Sequence, residues 1–201
     1  MELNDINDQS QRNKKRDSVM ENRKICIFLR GINVNGIKIK MRDLNDFFIK
    51  LGFIEVKTIL ATGNIIISIG EAMENIDLKE YIETELSKAF SYDAHVIIRS
   101  MSELKEICME ARKIELPEAY HLYVLLFDSE VDFLEVVTLF DTIHSFSEQL
   151  IPLNKDMLWI VAKGETLKSE FGSKILGNKK YRDKLTSMNF NTIKKMLESY
   201  L

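Results

Sequence analysis

Cysteine is scarce in this 201-residue chain: Cys26 and Cys108 are the whole complement, both lie among apolar residues, and no C-x-x-C spacing exists. The pair therefore suits a reducing compartment and a packing role. No stretch approaches the ~18 consecutive apolar residues of a membrane span, and the opening MELNDINDQSQRNKKRDSVM lacks the apolar core of a secretory leader. A cytoplasmic protein without a membrane partner is expected. Charge of one sign is missing too: 28 basic against 31 acidic residues leave −3, so no global field draws the chain onto nucleic acid. The three histidines, His95, His121 and His144, are scattered without ligand spacing, and no metal or other cofactor is expected. There is no G-x-S-x-G elbow and no strict G-x-G-x-x-G, and the G-x-x-x-x-G from Gly31 to Gly36 lacks a following Lys-Ser/Thr. Hydrolase and nucleotide fingerprints are thus both absent.

What is present is a strongly patterned chain, 45% apolar, long enough for one large domain or two small ones sharing a core. Residues 1–23 are polar and mixed in charge and read as a flexible arm. Lys24 to Leu29 is nearly continuous apolar, as a strand buried on both faces should be. Met41, Leu44, Phe47, Phe48 and Leu51 recur at helical spacing and stop at Gly52, a natural left-handed C′ residue. The runs Val56 to Ala61 and Ile65 to Ile69 flank Thr62-Gly63-Asn64, where Gly-Asn suits a tight II′ hairpin. A helix over Asp77 to Phe90 and a strand over Ala94 to Arg99 complete the order strand, helix, strand, strand, helix, strand, that of the ferredoxin-like split βαβ unit.

A helix at Ser102 to Arg112 leads to a second half. There His121 to Phe127 reads as a strand, Val131 to Ile143 as a helix behind the cap Ser129, and Gln149 to Leu153 with Met157 to Ala162 as a hairpin across Asn154-Lys155-Asp156. Helices are expected at Thr166 to Leu176 and Thr192 to Tyr200. The expected fold is α+β, two ferredoxin-like α/β sandwich halves (β-α-β-β-α-β, then β-α-β-β-α-α). They span 24–113 and 119–201, with the link at Ile114 to Glu118, which contains Pro117.

Right-handed crossover makes the first two strands parallel, so their ends meet at one edge of the sheet. The loop L-R-G-I-N-V-N-G, the T-G-N hairpin and the start of the fourth strand near Asp93 and His95 converge there. Gly31, Gly36 and Gly63 allow close backbone approach, Asn33, Asn35, Asn64 and Thr62 offer polar groups, and Arg30 and Lys40 add positive charge. The helix starting at Met41 has Lys40 at its cap position, and Lys38 and Lys40 at a helix N-terminus are unfavourable by roughly 0.3–1 kcal/mol each, which points to an offsetting anion. Asp43 and Asp46 offer that charge from within the chain, and Asn-Gly and Gly-Asn are ordinary turn pairs. Arg30 has an equally simple alternative in pairing with an acid from the second half. The segment Asn178 to Lys184 is basic with an embedded tyrosine, the local shape of a nucleic-acid contact, or a solvated helix end. Trp159, Phe127 and Phe140 sit at core spacing and read as packing.

Five motifs, L-R-G-I-N-V-N-G, K-M-R-D-L, L-G-F-I-E-V-K-T, A-T-G-N-I-I-I and T-S-M-N-F-N-T, together resemble the bacterial family called domain of unknown function 1697, over about Lys24 to Leu201. The resemblance implies a compact α+β protein of ferredoxin-like character and no established activity. Leu29, Arg30, Gly31, Ile32, Asn33, Val34 and Gly36 match its loop, with Asn35 where a second glycine is usual. Lys40 and Met41 match its helix start, and Thr62 replaces a serine in its hairpin. Its C-terminal T-x-R-N-W-N-T is altered here, with Met188 and Phe190 at the arginine and tryptophan positions. That loss weakens an anion site shared by the two ends of the chain, and Asn191 or Thr192 can instead cap the last helix.

Three functions are consistent with these residues. The first is a protein, enzymatic or not, that holds an anionic small molecule, phosphate or carboxylate, on loops 29–40 and 62–64. The second is an interaction module in which the same residues brace the halves. Nucleic-acid contact through Lys179 to Lys184 ranks last.

Overall fold

The structure is a computed structural model that describes residues 24–30, 32, 38–60, 63–70, 73 and 76–200. The expected arm, 1–23, lies outside the described residues. The first half comprises β1 (Lys24–Arg30), α1 (Met41–Lys50), β2 (Ile54–Ile59), β3 (Asn64–Ser68), α2 (Leu78–Phe90), β4 (His95–Ser100) and α3 (Met101–Ala111). The second comprises β5 (Tyr120–Phe127), α4 (Glu130–Ile143), β6 (Glu148–Leu153), β7 (Asp156–Ala162), α5 (Glu170–Gly177), β8 (Leu185–Asn189) and α6 (Phe190–Glu198), with a 3-10 turn at Lys179–Tyr181 before β8.

The strands form two four-stranded sheets, ordered β2-β3-β1-β4 and β6-β7-β5-β8, with every neighbouring pair antiparallel. In each, the third strand lies between the first and second, the arrangement that two split β-α-β crossovers require. The α+β architecture expected from the sequence is therefore present.

The inner strands are buried on both faces, which explains the apolar runs Ile25 to Leu29 of β1 and Leu122 to Phe127 of β5. Cys26 and Phe28 of β1 share one apolar layer with Leu122, Val124 and Leu126 of β5, and Leu104 and Ile107 of α3 and Ile193 and Met196 of α6 complete it. The alternate β1 residues Ile25 and Ile27 pack against Leu44 and Phe48 of α1 and Ile82 and Leu86 of α2. On the far face of the second sheet, Leu125, Phe127 and Trp159 meet Val136, Phe140, Phe171 and Ile175 of α4 and α5. One layer thus joins the halves and one outer layer serves each.

The helix starts follow local chemistry. Asp77 accepts from Glu80 N–H, Ser129 accepts from Asp132 N–H, and Ser100 with Glu103 forms a reciprocal capping box at α3. Gly52 takes φ +90° immediately after the α1 C-cap Leu51, the left-handed stop its position implied.

Three expectations are corrected. The second half contains a fourth strand, β8, where the sequence reading has only helix following helix. The helix expected from Thr166 starts at Glu170, because Ser169 accepts from Gly172 N–H and so caps it one turn later. Gly63-Asn64 is not a two-residue turn: Asn64 is a strand residue paired with Ile59, so the β2–β3 loop spans 60–63 and begins with Leu60 at φ +57°.

Candidate functional site

Arg30 ends β1 opposite His95, the first residue of β4, and the preceding Leu29 N–H donates to the Gly63 carbonyl at 3.0 Å. The end of β1, Gly63 of the hairpin and the start of β4 thus lie together at one edge; of the expected loop beyond Arg30, residues 31 and 33–37 lie outside the described residues. The Arg30 guanidinium turns toward the second half: Nε donates to the Arg182 carbonyl at 3.0 Å and Nη1 to Thr186 Oγ1 at 2.9 Å. Burial draws its pKa below the ordinary 12.5, with neighbouring Asp183 opposing and Arg182 adding to the shift. His95 Nε2 lies 3.3 Å from Asp93 and 3.9 Å from Asp183. Arg30 thus braces the two sheets through a carbonyl and a hydroxyl, in place of the acid expected of the second half.

The other loop residues separate. Gly31, Asn33, Asn35, Gly36 and Thr62 lie outside the described residues. Lys40 is exposed at the α1 N-cap and makes no side-chain cap hydrogen bond, so that helix end is uncapped as its sequence implied. Gly63 has φ +76°, and a Cβ there would lie 2.3 Å from Ile32 Cδ1 and 3.1 Å from Leu29 Cβ. Its glycine is required by packing of the loop onto the hairpin. Asn64 has no exposed surface and sits within β3, paired with Phe28 on one side.

The basic segment before β8 is largely committed. Lys184 pairs with Asp132 at 2.6 Å and Lys180 with Glu135, both acids on α4, and the Tyr181 hydroxyl donates to Glu135 at 2.6 Å. Burial first, and then Glu135, pushes the Tyr181 phenol up to about 12. Trp159 is fully buried beside Tyr123 and Phe171, in the packing role its spacing implied. Among the described residues, no group of three or more His, Cys, Asp or Glu could hold a metal ion, and no helix is long and apolar enough to cross a membrane.

A different place gathers unpaired positive charge. A cleft of about 450 Å³ opens where β8 gives way to α6 and leaves the edge of β5 at Tyr120 to Leu122 without a strand partner. Arg112 reaches it from the end of α3, Lys163 from the end of β7, and Lys194 from α6, with His121 and Asn191 also in its wall. None of these three cations forms an ion pair among the described residues, Lys194 having instead a contact 5.3 Å from the Phe190 ring centroid. Glu118 is the lone acid in the lining. The expected cap, Asn191 or Thr192, is corrected: Asn189 caps α6 by accepting from Asn191 N–H, and the helix starts at Phe190, so Asn191 and Thr192 lie inside its first turn.

A second cavity, of about 440 Å³, has the opposite character, with Glu103, Glu106 and Glu110 of α3 facing the β6–β7 turn. Glu103 is held below the ordinary 4.5; burial opposes this, and hydrogen bonds from Lys155 and Ser100 outweigh it. Two of these acids are paired, Glu103 with Lys155 and Glu110 with Lys113. The cleft cations are absent from the sequence-based site because each lies on a different element, 31 to 82 positions apart, and periodicity carries no signal at that range. The T-S-M-N-F-N-T motif was the available pointer, since Asn189, Phe190 and Asn191 line the cleft.

Comparison with known proteins agrees with this architecture. The conserved bacterial protein SP0830 from Streptococcus pneumoniae is similar in fold, with a TM-score of 0.67 and 22% identity over 87% of this chain and 98% of that one. No curated protein matches the chain. The family model for the protein of unknown function DUF1697 matches residues 23–156, from just before β1 to the first residue of β7. On that match over most of its length, the chain belongs to the DUF1697 family of proteins of unknown function.

Proposed function

We propose that the protein is a cytoplasmic binder of a small anion-bearing molecule, a phosphate or a carboxylate, and that the cleft between α3 and α6 receives it. The observation that carries this reading is the convergence of Arg112, Lys163 and Lys194 on one cavity without acidic partners. Three cations gathered about one acid, Glu118, leave net positive charge in the cleft, and an anion relieves the remaining repulsion. Each charge-assisted hydrogen bond contributes about 1.5–3 kcal/mol, so two or three give millimolar to micromolar affinity. The buried, unlinked cysteines fit the cytoplasm.

Isothermal titration of the full chain with inorganic phosphate and with citrate tests the reading. At least one is expected to bind, with affinity falling at least tenfold in K163E/K194E. Binding that is unchanged in that variant moves the site elsewhere. The uncapped start of α1, with Lys38 and Lys40 exposed, supports the loop as the second locus, and K38E/K40E is the variant that would then abolish binding. Arg30 supports the bracing role under either reading, because its donors reach the second half.

A further inference from the structure

The cleft between α3 and α6 has two kinds of wall. Its cations come from the ends of elements, whereas Ile114, Pro117, Tyr120, Leu122 and Phe190 present apolar surface. Leu122 belongs to the layer joining the two sheets, and Tyr120, Ile114 and Phe190 pack against it as half-buried side chains. These rings are held from behind by the core and are already in place before any ligand arrives. The volume decides what the cleft can take. At about 450 Å³ the cleft, open on one side to solvent, has room for more than one inorganic anion. Lys194 Nζ lies 5.3 Å from the Phe190 ring centroid, so positive charge and an aromatic surface are side by side on one turn of α6.

We infer that the ligand is an organic anion with an apolar, ring-bearing body, its phosphate or carboxylate held by Arg112, Lys163 and Lys194 and its body laid against Tyr120 and Phe190. This deepens the anion-binding reading and rests on it. The anionic group supplies orientation and the body supplies affinity, because burying apolar surface adds favourable free energy that a bare anion cannot collect. His121 and Asn191 are placed to hydrogen-bond polar groups on the same molecule.

Calorimetric titration of the full chain with phenyl phosphate, phenylacetate and inorganic phosphate separates the two claims. Phenyl phosphate or phenylacetate is expected to bind at least tenfold more tightly than inorganic phosphate, with K163E/K194E weakening it at least tenfold at unchanged melting temperature. Which of the two organic anions binds more tightly distinguishes a phosphate from a carboxylate head group. F190L is expected to reduce the preference over inorganic phosphate below threefold, and a preference that stays tenfold in F190L overturns the ring contact. If inorganic phosphate binds through Lys163 and Lys194 but both organic anions bind no better, the ring-bearing ligand is overturned and the anion site stands. If no anion binds, or if organic-anion binding survives K163E/K194E, the cleft reading itself falls.

Discussion

Arg99 of β4 and Asp156 of β7 meet as a two-pronged ion pair across the two halves: Nε lies 2.8 Å from Oδ2 and Nη2 lies 2.6 Å from Oδ1, with side chains only 5% and 4% exposed. The surrounding polar groups are satisfied as well. Arg99 also donates to the carbonyls of Ile98 and Phe127, and Asp156 Oδ1 accepts from Phe127 N–H. A buried pair of this kind contributes little over an apolar pair of equal volume, but losing one partner strands a charge.

Asp156→Asn is accordingly expected to destabilise the fold by about 3–5 kcal/mol, measured by urea denaturation. The double variant R99M/D156L is expected to lose much less than R99M and D156L added together, because it removes both charges at once. Equal losses would show that the pair is not coupled.

Arg30→Ala removes two hydrogen bonds that tie β1 to the segment around β8. Allowing for partial exposure, the expected cost is about 1–2 kcal/mol. Arg30→Lys is expected to recover less than half, since an ammonium cannot donate along both guanidinium directions. A double-mutant cycle with Thr186→Ala reads the coupling directly.

Acid is expected to weaken the joint between α4 and the segment before β8. Burial pushes the Asp132 carboxyl upward, but hydrogen bonds from Lys184 and Ser129 outweigh it and leave its pKa below the ordinary 3.8. Hydrogen bonds from Lys180 and Tyr181 hold Glu135 below 4.5. The unfolded chain therefore binds protons on these groups at higher pH than the folded one. Their stabilisation is present above the ordinary carboxylate range and is lost as pH falls through and below it. The urea midpoint should drop between about pH 5 and pH 3, and Lys184→Met should flatten that drop.

Gly172→Ala tests packing against propensity. Alanine in a helix gains about 1 kcal/mol over glycine, yet a Cβ at Gly172 would lie 2.0 Å from the Thr166 carbonyl oxygen and 2.9 Å from Trp159 Cη2. Backbone cannot yield as a side-chain tip can, so a net loss of about 2 kcal/mol or more is expected in thermal melting, with a changed near-ultraviolet signal from Trp159.

Cys26 has no exposed surface, and burial, with Glu103 adding to it, pushes its thiol up to about 12. A thiol reagent at neutral pH is expected to modify Cys26 only at the rate of unfolding, and immediately in denaturant.

The residues themselves carried the element order to a useful degree. KICIFLR could not be a surface strand, because nothing in it is polar between its ends, and the expected cap Ser129 stands where its helix begins. β8 escaped because LTSMN holds only two apolar residues and no strict alternation. Its strand conformation comes from pairing with β5, some sixty residues earlier in the chain.

The sequence by itself determined the two α+β halves and the meeting of the Arg30 loop with the Gly63 hairpin, since periodicity, caps and crossover handedness are local or topological properties. Only the tertiary structure decided what the charges do. Arg30 and Arg99 looked alike in sequence, each the cation at the end of an apolar run. The packing of one sheet against the other turned the first toward Thr186 and the second toward Asp156. Arg112, Lys163 and Lys194 came together on one cleft by the same packing, because a side chain's partner across a fold is set by how layers stack, and no spacing along the chain encodes it.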